Sequence, residues 1–170
     1  MKCECLESKI KREKRSRSKI PPKYERATLK DFRIDIYKRS ESHQKAAFVK
    51  EFATKLVKKH DDLMNSGVSS IGLYLYSDEK GSGKTFTACA VANHLIAAAQ
   101  LETRFYVVEE LLEEIRATYN DRSERTRAEI MDELKRVDLL VLDEIGIGSE
   151  SNFVTRTLYE LIDIERIIGK

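Results

Sequence analysis

An α/β domain, a parallel sheet flanked by helices, is expected of this chain on three grounds. Short apolar runs alternate with amphipathic stretches from residue 71 onward, the order that builds strand–helix–strand units. The run VDLLVL at Val137–Leu142 is nearly continuous in its hydrophobicity, as strands covered on both faces are. A glycine-bearing loop, residues 81–83, separates another apolar run from an alanine-rich stretch, so that a strand, a tight loop and a helix follow in order.

At 170 residues the chain holds one domain with an appendage. Residues 1–30 carry 11 Lys/Arg against 4 Asp/Glu, a net +7, and the remainder carries 20 against 25, a net −5. The tract KIKREKRSRSK at Lys9–Lys19 is too poor in apolar residues to order itself. It reads as an extended arm that touches nucleic acid, an acidic protein or anionic lipid, or as a solvated spacer. Pro21-Pro22 then forces extended backbone. The arm or linker is taken as residues 1–30 and the folded core as residues 31–170.

Within the core, Ala47, Phe48, Phe52, Leu56 and Val57 recur at spacings of three and four, predicting an amphipathic helix that Gly67 ends. Ile71–Tyr76 is apolar and aromatic between turn residues and predicts a buried strand. FTACAVANHLIAAAQ has high helix propensity and side chains small enough for close packing on a sheet. Arg104–Val108 predicts a second strand, and Glu109–Tyr119 a helix with Leu111, Leu112 and Ile115 facing inward. Arg125–Arg136 repeats the helical pattern, Val137–Leu142 is the third strand, and Phe153–Ile168 is a last amphipathic helix.

Composition excludes several classes. Apolar residues make up 41% and charged residues 35%, and no run approaches the roughly 18 apolar residues of a membrane span. The Met1 end is charged and lacks an apolar signal segment, and three cysteines form no disulfide framework, so a reducing cytoplasm is expected. Cys3 and Cys5 are half of a zinc site without a second pair. His43, His60 and His94 have no carboxylate or nucleophile partner at useful spacing, and Cys89 reads as a small core residue. Tyr24 and Phe32 stand at the start of the core, where an aromatic contacts adenine or packs inward.

The chemistry lies in two places. Gly81-Ser82-Gly83-Lys84-Thr85, with Phe86 following, is a phosphate-binding loop in the right context. Its glycines let backbone N–H groups turn inward, and the next helix adds its positive end. Lys84 is expected to reach the β- and γ-phosphates of ATP, and the Thr85 hydroxyl to ligate Mg²⁺. The usual pattern opens with glycine where this chain has Asp78, a carboxylate that either repels phosphate or points to solvent. The second place is Leu139–Glu144, an apolar run delivering two carboxylates 59 residues beyond Lys84. Asp143 is expected to hold Mg²⁺ through water, and Glu144 to orient or deprotonate the attacking water.

IPPKYERATLKDF, YSDEKGSGKT, FYVVEELLEEIR and VDLLVLDEIG, in that order, resemble bacterial and phage helicase loaders, AAA+ P-loop ATPases of the DnaC and DnaI type. The resemblance implies a P-loop NTPase core, ATP and Mg²⁺ as ligands, and a replicative helicase and single-stranded DNA as partners. By position it carries the loop role to Lys84 and Thr85 and the metal and water roles to Asp143 and Glu144. It also implies an N-terminal zinc-binding part with a Cys-x-x-Cys upstream of a Cys-x-Cys, of which only the second half, Cys3 and Cys5, stands here, and a sensor strand, an arginine finger and lid helices, for which the 26 residues beyond Glu144 leave no room. The sequence is therefore read as a core lacking its C-terminal part, with low turnover, since an oligomer normally supplies the arginine finger across subunits. Two alternatives stay open: an ATP-binding helper of insertion-sequence transposases, which shares these motifs, and a nucleotide-binding module without turnover. Because the sensor strand sits between the first and third strands in this class, its absence predicts that Leu73–Tyr76 and Leu139–Leu142 stay apart.

Overall fold

A computed structural model of the chain describes residues 4–68, 71–120, 123–146 and 152–167. The elements in order are α1 (Glu4–Arg17), a 3-10 turn (Pro22–Tyr24), α2 (Ser40–Asn65), α3 (Lys84–Ala98), β1 (Thr103–Val107), α4 (Val108–Ala117), α5 (Arg127–Lys135), β2 (Leu139–Asp143) and α6 (Asn152–Ile167).

β1 and β2 pair in parallel, from Thr103 opposite Leu139 to Val107 opposite Asp143. The connection through α4 and α5 is the crossover that parallel pairing requires. Side chains alternate across this sheet with the two-residue period of a strand. Tyr106, Leu140 and Leu142 face a cluster with Leu111 and Ile115 of α4, Ile130, Met131 and Leu134 of α5, and Leu161 of α6. Phe105, Leu139 and Val141 face the other way, onto Cys89, Ala92 and Ile96 of α3. Behind α3 lies α2, its Ala53 and Val57 against Val91 and Leu95. The expected parallel α/β architecture is thus present, with the sheet between two helical layers.

Local signals place most boundaries. Gly67 at φ +85° follows the end of α2, a conformation that glycine adopts without strain. Thr126 and Glu129 form a reciprocal capping box that starts α5.

Three expectations are corrected. The basic tract is not an unordered arm but lies largely in α1, a helix of 14 residues. It docks where local composition gives no hint: Ser18 is fully buried, its carbonyl accepts from Phe105 N at 2.7 Å, and Ile20 joins the α3 cluster. Ile71–Tyr76 is not a strand, because among the described residues only β1 and β2 share a ladder. Leu73 nevertheless packs on the α2–α3 cluster that also touches Leu139, whereas Tyr74 and Tyr76 are exposed. The segment thus alternates inward and outward without a ladder partner among the described residues, and it does not close onto β2. Finally, α2 buries Ala46, Ala53 and Val57 and leaves Phe48 and Phe52 exposed, stacked on one another at 6.2 Å between ring centroids.

Candidate nucleotide site

The loop ahead of α3 has the backbone its glycines predict. Gly81 and Gly83 both take positive φ, +75° and +83°, and Gly83 is the residue from which α3 starts. Thr87 N donates to Gly83 O at 2.9 Å. The N–H groups of Lys84, Thr85 and Phe86 therefore lie in the first turn, where no intrahelical acceptor exists. Three orphan donors and the positive end of the α3 dipole converge there, which is the chemistry of an anion site.

Lys84 Nζ is folded back over the loop, donating to Ser77 O at 3.1 Å, Glu79 O at 3.2 Å and Ser82 Oγ at 3.1 Å. All three acceptors are uncharged, so the ammonium is positioned without being neutralised. Across from it, β2 ends at Asp143, and the Thr85 hydroxyl donates to Asp143 Oδ2 at 2.7 Å. Two segments 58 residues apart thus meet at a pair of hard oxygen ligands. That pair suits Mg²⁺, which takes one or two protein oxygens and completes its shell from phosphate and water. No cluster of three or more His, Cys, Asp or Glu side chains fit to hold a metal occurs among the described residues.

A family model described as IstB-like ATP binding protein matches residues 73–167, from ahead of the loop to the end of α6. The chain belongs to the IstB-like family. Curated relatives are consistent with that membership. It is 27% identical over 148 residues to the replicative helicase loader DnaC of Buchnera aphidicola subsp. Baizongia pistaciae (strain Bp), covering 86% of this chain and 54% of the relative. It is 24% identical over 149 residues to the replicative helicase loader DnaC of Escherichia coli (strain K12), covering 87% and 54%. A third relative, the uncharacterized protein YdaV of Escherichia coli (strain K12), is 32% identical over 90 residues, 53% of this chain and 35% of that one. The chain spans about half the length of the DnaC loaders it matches.

In this IstB-like chain the other singled-out residues fall as follows. Glu144 is exposed at φ +58°, next to Asp143, and no hydrogen bond ties it to the loop. Asp78 is exposed, and its carboxylate accepts from the Tyr76 hydroxyl. That bond holds the Tyr76 phenol above its ordinary range. Cys89 is wholly buried on α3, and burial, with Asp143 adding to it, pushes its thiol up to about 12. His43 and His94 are exposed, and His60 sits 2.9 Å from Asp61. Cys3 and the Cys5 side chain lie outside the described residues.

Sequence reasoning missed what supports the loop from below. Phe86 packs at 5.9 Å from the Phe32 ring and edge-on at 6.1 Å from Tyr24, so its ring belongs to this aromatic cluster. Tyr37, adjacent to Phe32, donates from its hydroxyl to Ser82 O at 2.9 Å. The segment carrying these aromatics is held by Lys50 of α2, which donates to Phe32 O at 2.8 Å, and by Asn93 of α3, which donates to Tyr24 O and Ala27 O at 2.8 and 3.0 Å. Aromatic spacing ahead of α2 was the available signal, and nothing local linked Tyr37 to a loop 45 residues on.

Proposed function

We propose that this chain binds ATP through residues 81–86 and, with Mg²⁺, hydrolyses it as the nucleotide-driven part of a helicase loader in DNA replication. The observation that carries the reading is the 2.7 Å contact between Thr85 Oγ1 and Asp143 Oδ2, which unites loop and acidic strand tip in a chain of the IstB-like ATP binding family. Lys84 exchanges its three neutral acceptors for β- and γ-phosphate oxygens, a gain because the negative phosphate adds direct Coulomb attraction to the hydrogen bonds of the ammonium. The first-turn N–H groups of α3, Phe86 included, cradle the remaining phosphate oxygens. Thr85 and Asp143 hold Mg²⁺, which when bound neutralises charge on the phosphates. Glu144 takes the proton of the attacking water, its exposure leaving it free to approach.

The replicative helicase is proposed as partner because two of the relatives are named replicative helicase loaders. Single-stranded DNA is proposed for the basic N-terminal helix, a second copy of the chain for completing the site, and the cytoplasm as location. No helix among the described residues is long and apolar enough to cross a membrane. The IstB-like description of the family favours a second reading, the transposition helper. Capture of a purified ring helicase against a purified transposase separates the two.

Calorimetry with ATP and Mg²⁺ tests the core of the proposal. Lys84→Ala removes the countercharge nearest the phosphates, and binding should fall below detection. A folded Lys84→Ala protein with the parent's affinity overturns the reading.

A further inference from the structure

The aromatic pair beneath the loop does more than fill space. Tyr37 Oη donates to Ser82 O at 2.9 Å, reaching across 45 residues. A phenol is a donor at neutral pH, and burial raises that of Tyr37 further above its ordinary range. The Ser82–Gly83 peptide is planar and trans, as every peptide bond described here is, so its C=O and N–H point in opposite directions. With the carbonyl drawn down to Tyr37, the Gly83 N–H is turned away from the aromatic seat, toward the open side of the loop. Reversal of this peptide would present a carbonyl oxygen there, repelling any phosphate.

Gly83 is the residue at which such reversal is least hindered, since glycine visits both signs of φ. Its place is set by contact: a Cβ there would meet Phe32 Cε2 at 2.6 Å and Tyr37 Oη at 2.9 Å. Phe32 is buried and tied to α2 through the Lys50 bond to its carbonyl. Tyr37 N donates to Ile34 O at 3.1 Å, closing a turn that fixes its own entry.

We propose that Tyr37 is a positioning residue for the phosphate loop, its hydroxyl locking the Ser82–Gly83 peptide in the orientation that offers an N–H to a nucleotide's phosphates. It touches no ligand and acts only through Ser82. The inference rests on the nucleotide-binding reading above and deepens it.

Tyr37→Phe keeps the ring and its contacts with Phe32 and removes only the donor. One lost hydrogen bond of ordinary strength corresponds to a roughly five- to tenfold weaker ATP or ADP affinity. The ligand-free melting midpoint should stay within about 3 °C of the parent, since a single net bond moves a domain of this size little. In ¹⁵N–¹H spectra the Gly83 amide should move sharply when the parent is titrated with ADP and Mg²⁺, and much less in the variant. Tyr37→Leu, if folded, should repeat the affinity loss with a lower midpoint. A parent that binds ADP together with a Tyr37→Phe protein of equal affinity and equal Gly83 response overturns this inference alone. A parent that binds neither ATP nor ADP overturns the nucleotide reading and this inference with it.

Discussion

Gly81 and Gly83 share a left-handed backbone but not an environment. No heavy atom comes within 4 Å of a Cβ built on Gly81, whereas one on Gly83 is driven into Phe32. Both Gly→Ala changes incur the handedness cost of about 1–2 kcal/mol. Only Gly83→Ala adds crowding from a buried ring, so it should lower the melting midpoint by several degrees more than Gly81→Ala. Equal midpoints in the two variants would show that Phe32 yields freely. Glu144 admits a cleaner functional test. Glu144→Gln keeps shape and hydrogen bonding but takes up no proton, so ATP binding should persist at parental affinity while phosphate release stops. Hydrolysis at the parental rate removes Glu144 from the mechanism. Cys89 makes a pH prediction. Unfolded thiols ionise near 8.5, the folded one near 12. Between those values the unfolded state sheds a proton the folded state keeps, so stability falls as pH rises, by up to about 1.4 kcal/mol per pH unit. Cys89→Ala should flatten that slope, measured by urea unfolding from pH 8 to 11, and an unchanged slope assigns it to other groups.

At the scale of elements, what the sequence revealed depended on distance along the chain. The loop at residues 81–85 and the acidic tip at Asp143 were readable because each is a contiguous run with its chemistry in adjacent residues. Tyr37 was not, since its role exists only once Ser82 has been brought to it. The face of α2 was misread for a different reason. Phe48 and Phe52 outrank Ala46 and Ala53 in hydrophobicity, yet α3 presents Val91 and Leu95 so closely that small side chains pack there and large ones face outward. Helix α1 was hidden by its own charge. It is held by Lys14 donating to Gln100 O and by Lys19, whose ammonium reaches the Tyr106 hydroxyl at 2.6 Å and Glu114 at 3.6 Å. Lys9, Arg12 and Arg17 remain exposed on it. If this face binds single-stranded DNA, each Lys or Arg engaged steepens the salt dependence by a slope of about 0.7. Replacing Lys9, Arg12 and Arg17 together by Ala should therefore flatten the salt plot by roughly two units. An unaltered slope moves the DNA surface to another element. The replacement is a better probe than deleting residues 1–19, because Ser18 belongs to the core.

For the molecule as a whole, cooperativity follows from how the layers are joined. The clusters above and below the β1–β2 sheet meet through those two strands, whereas residues 71–76 attach to the α2–α3 layer through side chains such as Leu73 without a ladder. Segments lacking such ladders open at lower free energy than the core. The isolated chain should melt broadly, with amides of residues 71–76 exchanging well before those of β1 and β2. A sharp two-state transition with uniform protection across all three segments contradicts this picture.

Ser18 carries a consequence of a different kind. By accepting from Phe105 it occupies the outer side of β1, and Pro21-Pro22, two residues with no N–H, follow close behind. A visiting strand finds the Phe105 N–H on that side already partnered, while among the described residues β2 pairs on one side only. Among the described residues the sheet thus has a single growing margin. Two copies that meet through it use the same edge on each, related by a two-fold axis, and the resulting four strands have both outer borders closed. Sheet extension ends at a pair, and the repeating addition that builds fibres from two open borders has no second end to work from.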